Sequence, residues 1–205
     1  MIKRKINGGV MGEQYVTIDN VYNEMIAQDA LKNRRIWFND EVDDTSCTKA
    51  IYYLNKLEKI DKLNGKKEKI TLIMNSPGGI VYSGLMLISK IESMKKDGYI
   101  IEIITGGMSA SMSFLIGICG TKGYRKAGKY STFLCHQPSG GGIGTNLKIK
   151  RLSDELDRLW EISKEIIRKN TTMSDELLSE IYKTDCDYIM NSEQALSLGI
   201  IDEII

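Results

Sequence analysis

The sequence predicts an α/β fold, a largely parallel sheet covered by helices. Three observations carry that prediction. Short β-branched runs, 69–74 and 100–105 among them, alternate with longer segments whose apolar residues recur every three to four positions. Two of these runs end in glycine-rich loops, 75–79 and 106–108, at the strand C-terminal ends where ligand sites gather in such sheets. The 205 residues show no internal repeat, low-complexity tract or linker, so 1–205 reads as one domain.

In order along the chain, residues 1–18 carry Gly8-Gly9 and Gly12 and read as a partner-dependent arm. Residues 19–33 predict a helix with Val21, Met25 and Ala30-Leu31 inward. Residues 35–39 predict a strand. A helix starts near Asp44, Thr45 or Ser46, with Ile51, Leu54, Leu57 and Ile60 on one face, and a charged turn follows around Gly65. After the strand 69–74, Val81, Leu85, Ile88 and Ile91 mark a second helix, closed by Gly98. Strand 100–105 leads through Gly106-Gly107, read here as a sharp turn, into a core helix over 114–119. Residues 131–135 form a strand that delivers His136-Gln137-Pro138. A glycine-rich stretch, 139–144, precedes a long helix over 146–169 with Leu147, Leu152, Leu156, Leu159 and Ile166 inward. Ser174 caps a short helix, Ser192 opens the last one, and a strand around Ile200-Ile201 ends the chain.

Composition narrows the function. Twenty-eight Lys and Arg against 27 Asp and Glu give no electrostatic case for nucleic acid or an anionic membrane. The four cysteines, Cys47, Cys119, Cys135 and Cys186, lack metal or redox spacing and fit a reducing cytoplasm. No metal or cofactor is expected. The basic start, 1–6, is followed by Asn7-Gly8-Gly9, where a secretory leader needs an apolar stretch. No apolar run has the length of a membrane span.

The chemistry centres on a hydroxyl beside the second loop. A serine entering a helix N-terminus meets free amides and the positive end of the dipole, which favour a developing anion. Ser109 and Ser111 are both candidates, and capping alone would account for either. A serine nucleophile needs a base, and His136 is the single histidine. The base needs a carboxylate, for which Asp185 and Asp187 are candidates. Two amides must hold the oxyanion, and Gly79 and Met112 could supply them.

Asn75-Ser76-Pro77-Gly78-Gly79, the segment 107–112, His136-Gln137-Pro138 and Asp187-Tyr188-Ile189-Met190 together resemble the signature regions of the ClpP peptidase family, in the same order over 34–205. The resemblance implies Ser111 as nucleophile, His136 as base, Asp187 as acid, and the amides of Gly79 and Met112 as oxyanion hole. It implies a crotonase-like spiral of strand-strand-helix units with a protruding handle helix over 140–169. Gly140, Gly141 and Gly142 would lie beside the bound peptide, adding it as a strand. It further implies two stacked heptameric rings of this chain, polypeptide substrates and a Clp-type AAA+ unfoldase. The sequence carries no P-loop of the Gly-x-x-x-x-Gly-Lys-Ser/Thr type, so ATP would be used only by that separate partner. Residues 1–33 match the family poorly, and Asn39-Asp40-Glu41-Val42 replaces a turn that usually contains glycine.

Competing readings are a crotonase-type acyl-CoA enzyme, a serine–lysine peptidase in which His136 is dispensable, and a non-catalytic ring subunit paired with an active paralogue. The presence of all three triad residue types speaks against them.

Overall fold

Where the β-branched runs fall decides the sheet. A computed structural model describes residues 18–205. The arm expected from Gly8-Gly9 and Gly12 lies outside the described residues. Strands β1 (Arg35–Phe38), β2 (Ile70–Ser76) and β3 (Ile101–Ala110) lie parallel, in register from Arg35↔Thr71 and from Ile70↔Ile101. Parallel neighbours need crossovers, and α2 (Asp44–Asn64) and α3 (Val81–Lys96) supply them. Both pack on the sheet through Leu54, Leu57, Leu87, Ile88 and Ile91, all buried.

Beyond β3 the sheet divides. Residues Ile103–Thr105 pair with β4 (Arg125–Ala127), whereas Met108–Ala110 pair with β5 (Thr132–Cys135). β4 continues to β7 (Glu203–Ile204), and β5 pairs antiparallel with β6 (Tyr188–Asn191). One long strand therefore feeds two branches of a seven-stranded sheet. The core helix α4 (Met112–Ile118) fills the angle behind them. Helix α5 (Asn146–Asn170) buries Leu159, Trp160 and Ile167 against α4, and α6 (Asp175–Thr184) and α7 (Ser192–Ser197) complete the chain.

Several boundaries differ from expectation, each for a physical reason. Gly106-Gly107 is strand, not turn. β3 runs on to Ala110, and its register against β2 jumps from Met74↔Thr105 to Ser76↔Ser109. Helix α1 (Ile18–Lys32) buries Ala30 but leaves Val21, Met25 and Leu31 exposed. It is tied to β1 near its end, where the Asp29 carboxylate accepts from Arg35 Nε and Trp37 Nε1. The cap of α2 is Asp43, which exchanges hydrogen bonds with Ser46 in a capping box. Leu147 is exposed on α5, whose core contacts begin only further along. Ile200 and Ile201 are buried but lie before the last strand, at 203–204. Strand β4 escaped the sequence reading because three residues flanked by glycines show no periodicity.

Arg125 fastens the C-terminus. Its guanidinium, 4% exposed, donates from Nε (2.9 Å) and Nη2 (2.5 Å) to the Asp202 carboxylate, which also accepts from the Gly123 and Arg125 amides. Burial alone would raise the Asp202 carboxyl. The Arg125 hydrogen bonds, the guanidinium charge and the Gly123 amide outweigh it and hold the carboxyl below its ordinary value. A depressed carboxyl contributes stability above its unfolded value of about 4 and loses that contribution as pH falls through the lower folded value. Asp202→Asn should therefore destabilise the fold at pH 7 by about 3 kcal/mol, because it leaves a buried guanidinium without its counter-charge. Thermal melts at pH 7 and pH 3 check this: the gap between wild type and variant should shrink at the lower pH.

Candidate active site

The site begins where β3 stops. Ser111 takes φ +56° and ψ −124°, a conformation that side chains other than glycine rarely adopt. Such strain costs of order 1–3 kcal/mol and persists only where the surroundings enforce it. Here the backbone is fixed on both sides. The Ser111 amide donates to the Leu134 carbonyl at 2.9 Å, and its carbonyl accepts from Phe114 at 3.0 Å. Ser113, fully buried, accepts from the Ala110 amide at 2.8 Å and lies 2.7 Å from the Ser76 carbonyl, to which its hydroxyl can donate. Ser109 is also fully buried, its Oγ 3.0 Å from the Ser113 carbonyl. The neighbouring serines build the turn, and Ser111 is the one that lines the adjoining cleft.

His136 arrives from β5. The β5–β6 ladder ends at Cys135↔Tyr188, so the next opposed pair is His136 and Asp187, with side chains on one face. His136 Nε2 lies 2.7 Å from Ser111 Oγ, and Nδ1 lies 3.0 Å from Asp187 Oδ1. An ionised carboxylate only accepts, so the network assigns the ring proton to Nδ1 and leaves the Nε2 lone pair toward the serine. The Asp187 side chain is 61% exposed and that of His136 30%. Asp185, the other candidate, binds Gln137 Nε2 at 2.6 Å instead.

The first glycine loop folds over this turn. Val42 forms a parallel bridge to Gly79, donating to the Gly78 carbonyl (2.8 Å) and accepting from the Ile80 amide (2.6 Å). Gly79 therefore directs its own N–H away from Val42. A Cβ on Gly78 would sit 2.5 Å from the Ala110 carbonyl oxygen and 2.6 Å from Ser111 Cβ, so this loop rests directly on the serine turn. Met112 is the first residue of α4, whose N–H is among those a helix leaves unpaired. Among the described residues neither amide has a hydrogen-bond partner.

Beside Ser111 and His136 runs a narrow, mostly apolar cleft lined by Val81, Met112, Leu115, Pro138, Trp160 and Ile167. Tyr182 stacks on the outer side of Trp160, with ring centroids 6.0 Å apart. Cys135 also borders the cleft, but burial pushes its thiol up to about 12, so it stays protonated and is a poor nucleophile at neutral pH. Gly140 and Gly142 are exposed and lie along Leu156 and Leu152 of α5. Gly141 lies between them, with open space around its Cα. Among the described residues no cluster of three or more His, Cys, Asp or Glu could hold a metal ion.

Sequence reasoning missed the Val42 bridge, the Ser113 buttress and Trp160. Val42 and Trp160 come from distant segments and leave no local signal. Ser113 had one, a hydroxyl three residues after the strand end. The tight packing of Gly78 generates a prediction. Gly78→Ala at φ +94° should displace the serine turn and slow Ser111 labelling by a fluorophosphonate about 100-fold, measured by intact mass against time. No helix among the described residues is long and apolar enough to cross a membrane. A family model described as Clp protease matches residues 19–205. With that match over nearly the whole chain, and a mixed α/β fold of the ClpP/crotonase-like kind, the protein belongs to the Clp protease family of serine-type endopeptidases.

Proposed function

We propose that Ser111, His136 and Asp187 form the catalytic triad, with Gly79 and Met112 as the oxyanion hole. The observation that carries this reading is the continuous chain Ser111 Oγ to His136 Nε2 to Nδ1 to Asp187 Oδ1, at 2.7 and 3.0 Å. In the first step Ser111 Oγ attacks the scissile carbonyl while His136 Nε2 takes its proton. Asp187 supports the imidazolium, and the two amides receive the oxyanion. His136 then gives the proton to the leaving amine, freeing the new N-terminus. Water, deprotonated by the same nitrogen, attacks the ester carbonyl and releases Ser111.

The apolar cleft accepts an apolar side chain beside the scissile bond, and Gly140, Gly141 and Gly142 present backbone to an extended peptide. The chain forms a single peptidase domain, with 140–169 as the handle between two stacked heptameric rings. Substrates are short peptides and unfolded polypeptides. A Clp-type AAA+ partner supplies ATP-driven unfolding, because the chain has no P-loop of its own.

Mass spectrometry after fluorophosphonate treatment should place the adduct on Ser111. An adduct on Ser109 or Ser113 would overturn the assignment. Asp187→Asn should lower turnover on a fluorogenic peptide by about 10³ to 10⁴-fold, and Asp185→Asn far less, since the amide favours the wrong imidazole tautomer. The purified protein should cleave a fluorogenic tripeptide but leave a stable folded domain intact. Rapid hydrolysis of the domain without ATP or a partner would show that the serines are open to bulk solvent and exclude an enclosed chamber.

A further inference from the structure

Asn75 stands opposite the irregularity in the β2–β3 pairing. Between Met74↔Thr105 and Ser76↔Ser109, a single residue of β2 faces Gly106, Gly107 and Met108 of β3. A strand with surplus residues leaves ladder groups unpaired. One of these, the Met108 amide, donates to Asn75 Oδ1 at 3.0 Å. Gly107 makes the approach possible, because a Cβ there would sit 2.6 Å from that oxygen. The other end of the same amide is also held: Asn75 Nδ2 donates to Asn39 Oδ1 at 2.6 Å. This second bond fixes which way the Asn75 amide faces.

The three residues so joined each lie just upstream of a part of the proposed oxyanion hole. Asn39 follows β1 and leads to Val42, which brackets Gly79. Asn75 precedes Gly79 by four residues, and Met108 precedes Met112 by four. Further along, the two strands meet again where Gly78 rests on Ala110 and Ser113 reaches Ser76. The loop and the turn are thus tied at both ends. The brace at Asn75 is the end that no backbone ladder provides.

We infer that Asn75 is a positioning residue, a side-chain clamp across β1, β2 and β3 that sets the separation of the Gly79 and Met112 amides. It touches no reacting atom. Its effect falls on the transition state, where an oxyanion must meet both donors, and not on ground-state binding in the cleft. The inference rests on the acyl-enzyme reading above.

The test compares wild type, Asn75→Ala, Asn75→Asp and Asn39→Ala as assembled proteins, with assembly checked by sedimentation and active sites counted by fluorophosphonate labelling. Asn75→Ala should lower kcat per labelled site about tenfold to 100-fold with KM within about twofold. The inhibition constant of a peptidyl aldehyde, whose adduct carries the oxyanion, should rise in parallel. Asn75→Asp should recover most of the loss, because its carboxylate accepts from Met108 while the Asn39 amide turns to donate. Asn39→Ala removes only the outer bond and should cost about threefold in kcat. If Asn75→Ala does not fold, Asn39→Ala and Asn75→Asp decide alone. Unchanged kcat and aldehyde affinity in Asn39→Ala would then overturn the inference. So would an Asn75→Asp as deficient as Asn75→Ala, or a loss that appears only in KM. A wild type not labelled at Ser111 overturns the acyl-enzyme reading and this inference with it. A labelled, active wild type with an unaltered Asn75→Ala overturns this inference alone.

Discussion

The enforced positive φ at Ser111 is the constraint from which the surrounding arrangement follows. A strand that ended in an ordinary turn would point the residue-111 side chain into the sheet or along the helix. The positive φ sits where β3 ends and α4 begins, and the Ser111 side chain lines the cleft there. Holding that conformation takes a full complement of partners. Leu134 binds its amide, Ser113 ties Ala110 to Ser76, and Gly78 fills the space where a side chain would collide. The pairing of β3 with two different strands has the same origin. Its first half is spent on β4, and its second half is free to bring β5, and with it His136, to the serine.

Antiparallel pairing at β6 does the remaining work. The rest of the sheet is parallel, and parallel strands deliver their C-terminal ends to one edge. A residue approaching that edge from the other direction needs a strand running the opposite way. β6 is that strand, so Asp187 enters at its N-terminal end and meets His136 head-on. The mixed sheet is thus a geometric requirement for joining three residues 25 and 51 positions apart in sequence.

Much of this was readable from the chain. The β-branched runs and the 3-to-4 spacing gave the helices and the parallel core, because a sheet buried on both faces writes itself as continuous apolar strands. The motifs gave Ser111, His136 and Asp187 by resemblance, and the structure brings those three together. What stayed hidden was non-local. Gly106-Gly107 looked like a turn because glycine permits turns. The smallness of Gly107 matters instead, where it meets an asparagine on the next strand, which no local pattern reveals. Ser109 looked equivalent to Ser111, and burial separates the two. Val21, Met25 and Leu31 of α1 were read as inward, with Ala30, from sequence spacing alone, yet among the described residues only Ala30 of that set is buried. Strand β4 is too short to show a period.

The exposure of Asp187 has a consequence for how the proposed triad responds to its medium. A carboxylate sunk in protein is shielded from mobile ions and holds its histidine through a low-dielectric gap. Asp187 keeps most of its surface in water, and among the described residues His136 is its one hydrogen-bond partner. In the proposed reaction, dissolved cations and water dipoles therefore compete with the His136 imidazolium for the same oxygens. The electrostatic support given to the proposed base becomes a property of the solution as much as of the fold. It is strongest at low ionic strength and strengthens again wherever a neighbouring surface displaces the water.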